Sequence, residues 1–181
     1  MSSDKRVLHL GAGTGEIDAL MPHDWTLLAV DFSSEATRLR RDRLEALGLK
    51  RPAVQADMLS LPLERATFGI IFNLGVMEHF SDAEIVRSLS EMKRVLAPEG
   101  RIILYWPPIW GPTVMLLHSL ARVRRILRPP AEQLHPPEIN LFRSRRKCDA
   151  LLAQADLRAI SVSYGPGDLF THVIVVAGHH S

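Results

Sequence analysis

Apolar residues fall along this chain in two alternating rhythms. Short continuous runs mark buried strands near residues 6–10, 25–30, 52–56, 68–73, 101–105, 158–163 and 171–177. Stripes at helical spacing mark helices near 15–20, 34–47, 82–96 and 144–155. The third helix is the best signalled, because Ser81-Asp82-Ala83-Glu84 forms a capping box and Ile85, Leu89, Met92 and Leu96 make a buried stripe. Gly165-Pro166-Gly167 breaks the last two strands into a hairpin. Strand–helix alternation with short connections predicts an α/β fold, doubly wound, with a mostly parallel sheet covered on both faces.

One segment interrupts the alternation. Residues 107–141 open with Pro107-Pro108, pass Gly111-Pro112 and close with Pro129-Pro130 and Pro136-Pro137. Between these breaks Val114, Leu117, Leu120, Val123 and Leu127 recur at helical spacing, while Arg122, Arg124, Arg125 and Arg128 crowd the C-terminal half. The pattern predicts an amphipathic basic helix in an insertion. Following the fifth strand, it stands beside the carboxyl edge of the sheet, where open α/β folds bind ligands.

The first strand ends in glycines. Val7-Leu8-His9-Leu10 runs into Gly11-Ala12-Gly13-Thr14-Gly15, and the chain re-enters a helix at Glu16. Glycines at such a turn let the backbone bend sharply and approach a ligand closely. A dinucleotide turn of the form G-x-G-x-x-G would need glycine at position 16, and Glu16 there would repel a pyrophosphate. The second strand ends at Asp31, where an acid accepts hydrogen bonds from vicinal ribose hydroxyls; the competing reading is a helix N-cap, since Ser33, Ser34 and Glu35 follow.

Taken in order, these pieces resemble the class I S-adenosylmethionine-dependent methyltransferases, particularly the ubiquinone and menaquinone C-methylases and small-molecule methyltransferases. Gly11-Ala12-Gly13-Thr14-Gly15 is similar to their first motif, and Asp31, followed by Phe32, to their ribose-binding acid. Gln55-Ala56-Asp57-Met58 resembles the segment that brackets the adenine. Phe68-Gly69-Ile70-Ile71-Phe72-Asn73-Leu74-Gly75-Val76-Met77-Glu78-His79-Phe80 resembles their fourth strand and the turn after it. Arg94-Val95-Leu96-Ala97-Pro98-Glu99-Gly100-Arg101 resembles their approach to the fifth strand, and Glu138-Ile139-Asn140-Leu141-Phe142 followed by Leu151-Leu152-Ala153-Gln154-Ala155-Asp156-Leu157 resembles the helix ahead of the sixth. The resemblance implies a seven-stranded Rossmann-like sheet with an antiparallel C-terminal hairpin strand, S-adenosylmethionine as cofactor and S-adenosylhomocysteine as product. It implies cofactor contacts from Gly11, Ala12, Gly13, Gly15, Asp31, Phe32, Asp57, Met58, Asn73 and Leu74, and a substrate lid built by 107–141. Two positions depart from the pattern. His9 stands where the family carries an acid, and Gly69 where it carries aspartate.

Composition narrows the setting. With 181 residues, 46% of them hydrophobic, the chain is long enough for one core and is expected to form a single domain over 1–181. The N-P-P-[YF]-type tetrad of amino-methylating enzymes is missing after the fourth strand, where Asn73-Leu74-Gly75-Val76 stands instead, and no stable nucleic-acid binding is expected. Cys148 is the single cysteine; with Met1-Ser2-Ser3-Asp4-Lys5-Arg6 leading straight into a strand, a cytoplasmic location is expected. No apolar run reaches the roughly 20 residues of a membrane span. There is no metal-binding motif, so no metal is expected, and no G-x-S-x-G elbow of a hydrolase.

Methyl transfer from a sulfonium is an in-line displacement that depends on positioning and exclusion of water. A hydroxyl, phenol or acidic carbon also needs a proton acceptor, and His79, just past the fourth strand, is the expected catalytic base. Tyr105, Trp106, His118 and His135 are the expected substrate-side residues. Trp106, Ile109 and Trp110 favour an apolar or aromatic small molecule for O- or C-methylation, whereas the arginines at 122, 124, 125 and 128 would suit an anionic partner or membrane surface. Three alternatives stand beside this reading: a non-catalytic cofactor-binding subunit, a methyltransferase of RNA or of a carrier-bound substrate, and an NAD(P)-dependent oxidoreductase, the last disfavoured by Glu16.

Overall fold

The apolar runs become strands and the striped segments become helices in the computed structural model, which describes residues 5–110, 138–166 and 170–180. In chain order they are β1 (Arg6–Leu10), α1 (Glu16–Leu20), β2 (Thr26–Asp31), α2 (Ser34–Ala46), β3 (Ala53–Gln55), β4 (Phe68–Leu74), α3 (Asp82–Val95), β5 (Leu96–Trp106), α4 (Arg145–Gln154), β6 (Leu157–Ser163) and β7 (Val173–His179). They build a seven-stranded sheet of order β3-β2-β1-β4-β5-β7-β6. Pairings are parallel from β3 to β5, and β7 lies antiparallel between β5 and β6. The strand order reverses between β1 and β4, which opens a crevice at their carboxyl ends.

The boundaries differ modestly from the sequence reading. Leu96 leaves the helix and opens β5, because Pro98 disfavours the helical region for Ala97, and Leu96 is already extended (φ −73°, ψ 131°). The last strand lies two residues later than expected, at Val173–His179.

The larger core lies on one face of the sheet. Leu8, Leu10, Ile71, Ile102, Leu104 and Val175 pack there beneath Ile85, Leu89 and Met92 of α3 and Leu151 and Leu152 of α4. Cys148 is buried in the same core, and burial pushes its thiol up to about 12, so it is a packing residue rather than a nucleophile. The other face holds Val7, Leu27 and Phe72 with Met21 and Trp25 packed against them.

The two ends of the proline-bounded segment are tied to each other where the chain leaves β5. Pro108 bridges Phe142, Ile109 N–H donates to the Phe142 carbonyl (3.0 Å), and Phe142 N–H donates to that of Pro107 (2.9 Å). Residues 111–137 lie outside the described residues, and with them the segment expected to form a basic helix, Arg122, Arg124, Arg125, Arg128, His118 and His135.

Candidate functional site

Three glycines shape the β1–α1 turn, each with positive φ: 68° at Gly11, 52° at Gly13 and 77° at Gly15. Their surroundings separate their tasks. A Cβ on Gly11 would lie 2.5 Å from Val76 Cγ2, and one on Gly15 would lie 2.6 Å from Arg40 Cγ. The outer two therefore make room for the protein itself. Nothing stands within 4 Å of a Cβ built on Gly13, so the middle glycine leaves room for a ligand.

Asp31, at the end of β2, faces the same opening. Its Oδ2 accepts the Gly13 N–H and its Oδ1 the Ser33 N–H, both at 2.8 Å. The cap of α2 is instead Ser33, whose hydroxyl accepts the Ala36 N–H at 3.1 Å. A carboxylate offers about four acceptor positions, so Asp31 keeps roughly two for a pair of hydroxyls. Together with Phe32, Asp57, Met58, Val76, His79 and Phe80, these residues line a cleft of about 730 Å³ at the switch point. Asp57 Oδ1 accepts the Leu59 N–H (2.8 Å), which fixes the turn after β3. An acid with open acceptor positions, an unobstructed glycine and apolar walls fit a ribose-bearing nucleoside.

His79 stands across the cleft, in a single 3₁₀ turn, Met77–His79, held by two neighbours. The Glu78 carbonyl accepts the N–H groups of Ile139 (2.7 Å) and Asn140 (2.9 Å). The Asn140 side-chain amide donates to the Phe80 carbonyl (3.2 Å) and to Asp82 Oδ1 (2.6 Å), and the Asn140 backbone carbonyl accepts the Trp106 indole N–H (2.6 Å). The Glu78 side chain folds inward beneath Gly75, whose missing Cβ would come within 3.3 Å of its Oε1. Burial is the main reason that the Glu78 carboxyl is pushed up to about 7, opposed by a hydrogen bond from its own backbone and by His79 and reinforced by Glu138.

The other sequence-designated residues lie elsewhere. Ala12 is buried in the turn, Gly15 backs onto Arg40, and Asn73 is fully buried with neither side-chain nitrogen nor oxygen partnered. Leu74 and Tyr105 line a separate hollow of about 320 Å³ with Trp25 and Phe72. Trp106 is buried against Asn140 rather than presented to the cleft.

His9, the departure from the family pattern, does not line the cleft. Its Nδ1 meets Asp18 Oδ1 at 2.6 Å, its ring stacks on Phe72 at 4.2 Å, and Arg40 Nε donates to the other Asp18 oxygen at 2.6 Å. Burial opposes charge on Asp18, but hydrogen bonds and charge from His9 and Arg40 hold its carboxyl below the usual range. Sequence reasoning missed this buried triad and the Asn140 clamp. Their only signals were an aspartate and an arginine inside short amphipathic helices and one asparagine among apolar neighbours.

Residues 7–100 match the sequence profile of the methyltransferase domain family. The chain belongs to that family. It is 35% identical over 109 residues to the demethylmenaquinone methyltransferase of Thermus thermophilus (58% of this chain, 48% of that protein). It is 33% identical over 106 residues to a probable tRNA methyltransferase 9B of Mus musculus (58% of this chain, 22% of that protein). The chain thus spans less than half the length of either relative. An O-methyltransferase of neocarzinostatin biosynthesis, solved with S-adenosylhomocysteine and 1,4-dihydroxy-2-naphthoic acid, has the same fold at 17% identity (TM-score 0.73, covering 98% of this chain and 50% of that one).

Proposed function

We infer that this methyltransferase domain transfers a methyl group from S-adenosylmethionine to a small apolar or aromatic acceptor, at oxygen or carbon. The observation that carries the reading is a single cleft lined by Gly13 and Asp31 on one side and His79 on the other. S-adenosylmethionine, when bound, supplies a methyl group already activated on a sulfonium. Asp31 would hold the ribose, with Gly11 and Gly13 beneath and Asp57 and Met58 beside the base. His79 would take the proton released as the acceptor is methylated, while Val76, Leu59 and Phe80 keep that end of the cleft apolar and exclude water. The kinship with a menaquinone enzyme and the fold shared with a dihydroxynaphthoate-binding protein support a quinol or phenol as acceptor.

The test is transfer of labelled methyl from S-adenosylmethionine to a panel of quinols, hydroxynaphthoates, phenols and tRNA. Labelling of a quinol or phenol is expected, and His79→Ala should slow it by about 10²–10⁴-fold with S-adenosylhomocysteine affinity nearly intact. Labelling of tRNA alone would contradict the acceptor class. A full-rate His79→Ala variant would leave positioning as the whole mechanism.

A further inference from the structure

Glu78 is a buried ionisable group that the scheme above does not use. Its side chain is 7% exposed, and its Oε2 is enclosed with no hydrogen-bond partner. Leaving a carboxylate oxygen in that state is costly, so such a group is retained where its charge serves something. Two features aim it at the cleft. Its backbone is pinned by Ile139 and Asn140, and its Oε1 lies 4.0 Å from His79 Nε2, just beyond a direct hydrogen bond but within the about 4–6 Å over which opposite charges couple strongly. Gly75 makes the placement possible, because any side chain there would crowd Oε1.

We propose that Glu78 is a positioning residue that works through His79, its buried carboxylate steadying the imidazolium formed when His79 accepts a proton. The proposal rests on the methyl-transfer reading and narrows it to acceptors that lose a proton, namely hydroxyls, phenols and acidic carbons. The proton passes from the acceptor to the imidazole and later to water, while the Glu78 carboxylate pairs with the resulting positive charge and itself exchanges no proton in the cycle. Among the described residues, Glu138, in the segment that clamps the turn, is the other charged group that acts on it, and its like charge opposes ionisation of Glu78 where His79 favours it.

The coupling is read by NMR titration of the histidine side chains in the S-adenosylhomocysteine complex, with the His79 signal assigned by its loss in His79→Gln. Glu78→Gln keeps the shape and removes the charge, and it should lower the His79 midpoint by about one pH unit; Glu78→Asp should restore part of the shift. Reciprocally, the carboxyl titration of Glu78, followed by carbon-13 labelling, should move upward in His79→Gln. This second measurement serves if Glu78→Gln does not fold. An unchanged His79 midpoint in Glu78→Gln, or an unchanged Glu78 titration in His79→Gln, overturns the proposal. Failure of the wild-type protein to bind S-adenosylhomocysteine would instead sink the methyltransferase reading, and that is measured separately on the same samples.

Discussion

Glu78 also sets a cost that pH reveals. Burial raises its carboxyl from the ordinary glutamate range to about 7, so the folded state holds a proton that the unfolded chain releases near pH 4.5. The favourable contribution of the protonated form is therefore complete below about pH 4.5 and is lost as pH rises through about 7. Glu78→Gln should match the wild type at pH 4.5 and exceed its stability at pH 8 by up to about 3 kcal/mol, from denaturant midpoints at the two pH values. A pH-independent difference would show that the carboxyl is not desolvated. The glycines make a second contrast at this scale. Gly13→Ala should cost only the roughly 1–2 kcal/mol of a left-handed backbone yet block nucleoside binding. Gly15→Ala adds a clash with Arg40 and should destabilise more, disturbing the His9–Asp18–Arg40 triad. Equal stability losses in the two variants would contradict this division of labour.

Among the elements, α3 was the most legible in the sequence, and the reason is local. Ser81 and Glu84 form the reciprocal cap, and Ile85, Leu89 and Met92 are fully buried, so the helix is specified by residues within it. The turn that carries His79 is specified from a distance. Asn140, sixty residues beyond Phe80, satisfies its carbonyl, and no spacing rule near His79 reveals that partner. Asn140→Ala removes the donor to the Phe80 carbonyl and to Asp82 and the acceptor for Lys147 (3.0 Å). It should cost about 1–3 kcal/mol, against about 1 kcal/mol for Ser81→Ala, in urea unfolding. The reverse ranking would mean that the clamp is incidental to the fold.

Across the whole molecule, strand–helix alternation was enough to place the sheet, its switch point and therefore the edge on which a ligand binds. The faces of individual residues were harder to read. Neighbours on a strand point to opposite sides, so Asn73 and Leu74 could not both reach one cleft, and in fact neither lines it. Tyr105 falls with Leu74 because the two pair across β4 and β5 in register. The central claim is that the cleft between Gly13, Asp31 and His79 holds the nucleoside of S-adenosylmethionine. Calorimetric titration of S-adenosylhomocysteine into the wild-type protein and Asp31→Ala tests it most directly. The account predicts one binding site per chain and at least a roughly tenfold loss in Asp31→Ala, from about 1.5–3 kcal/mol for a charged acceptor of two hydroxyls. Absence of binding to the wild-type protein, or equal affinity in a folded Asp31→Ala variant, would contradict it.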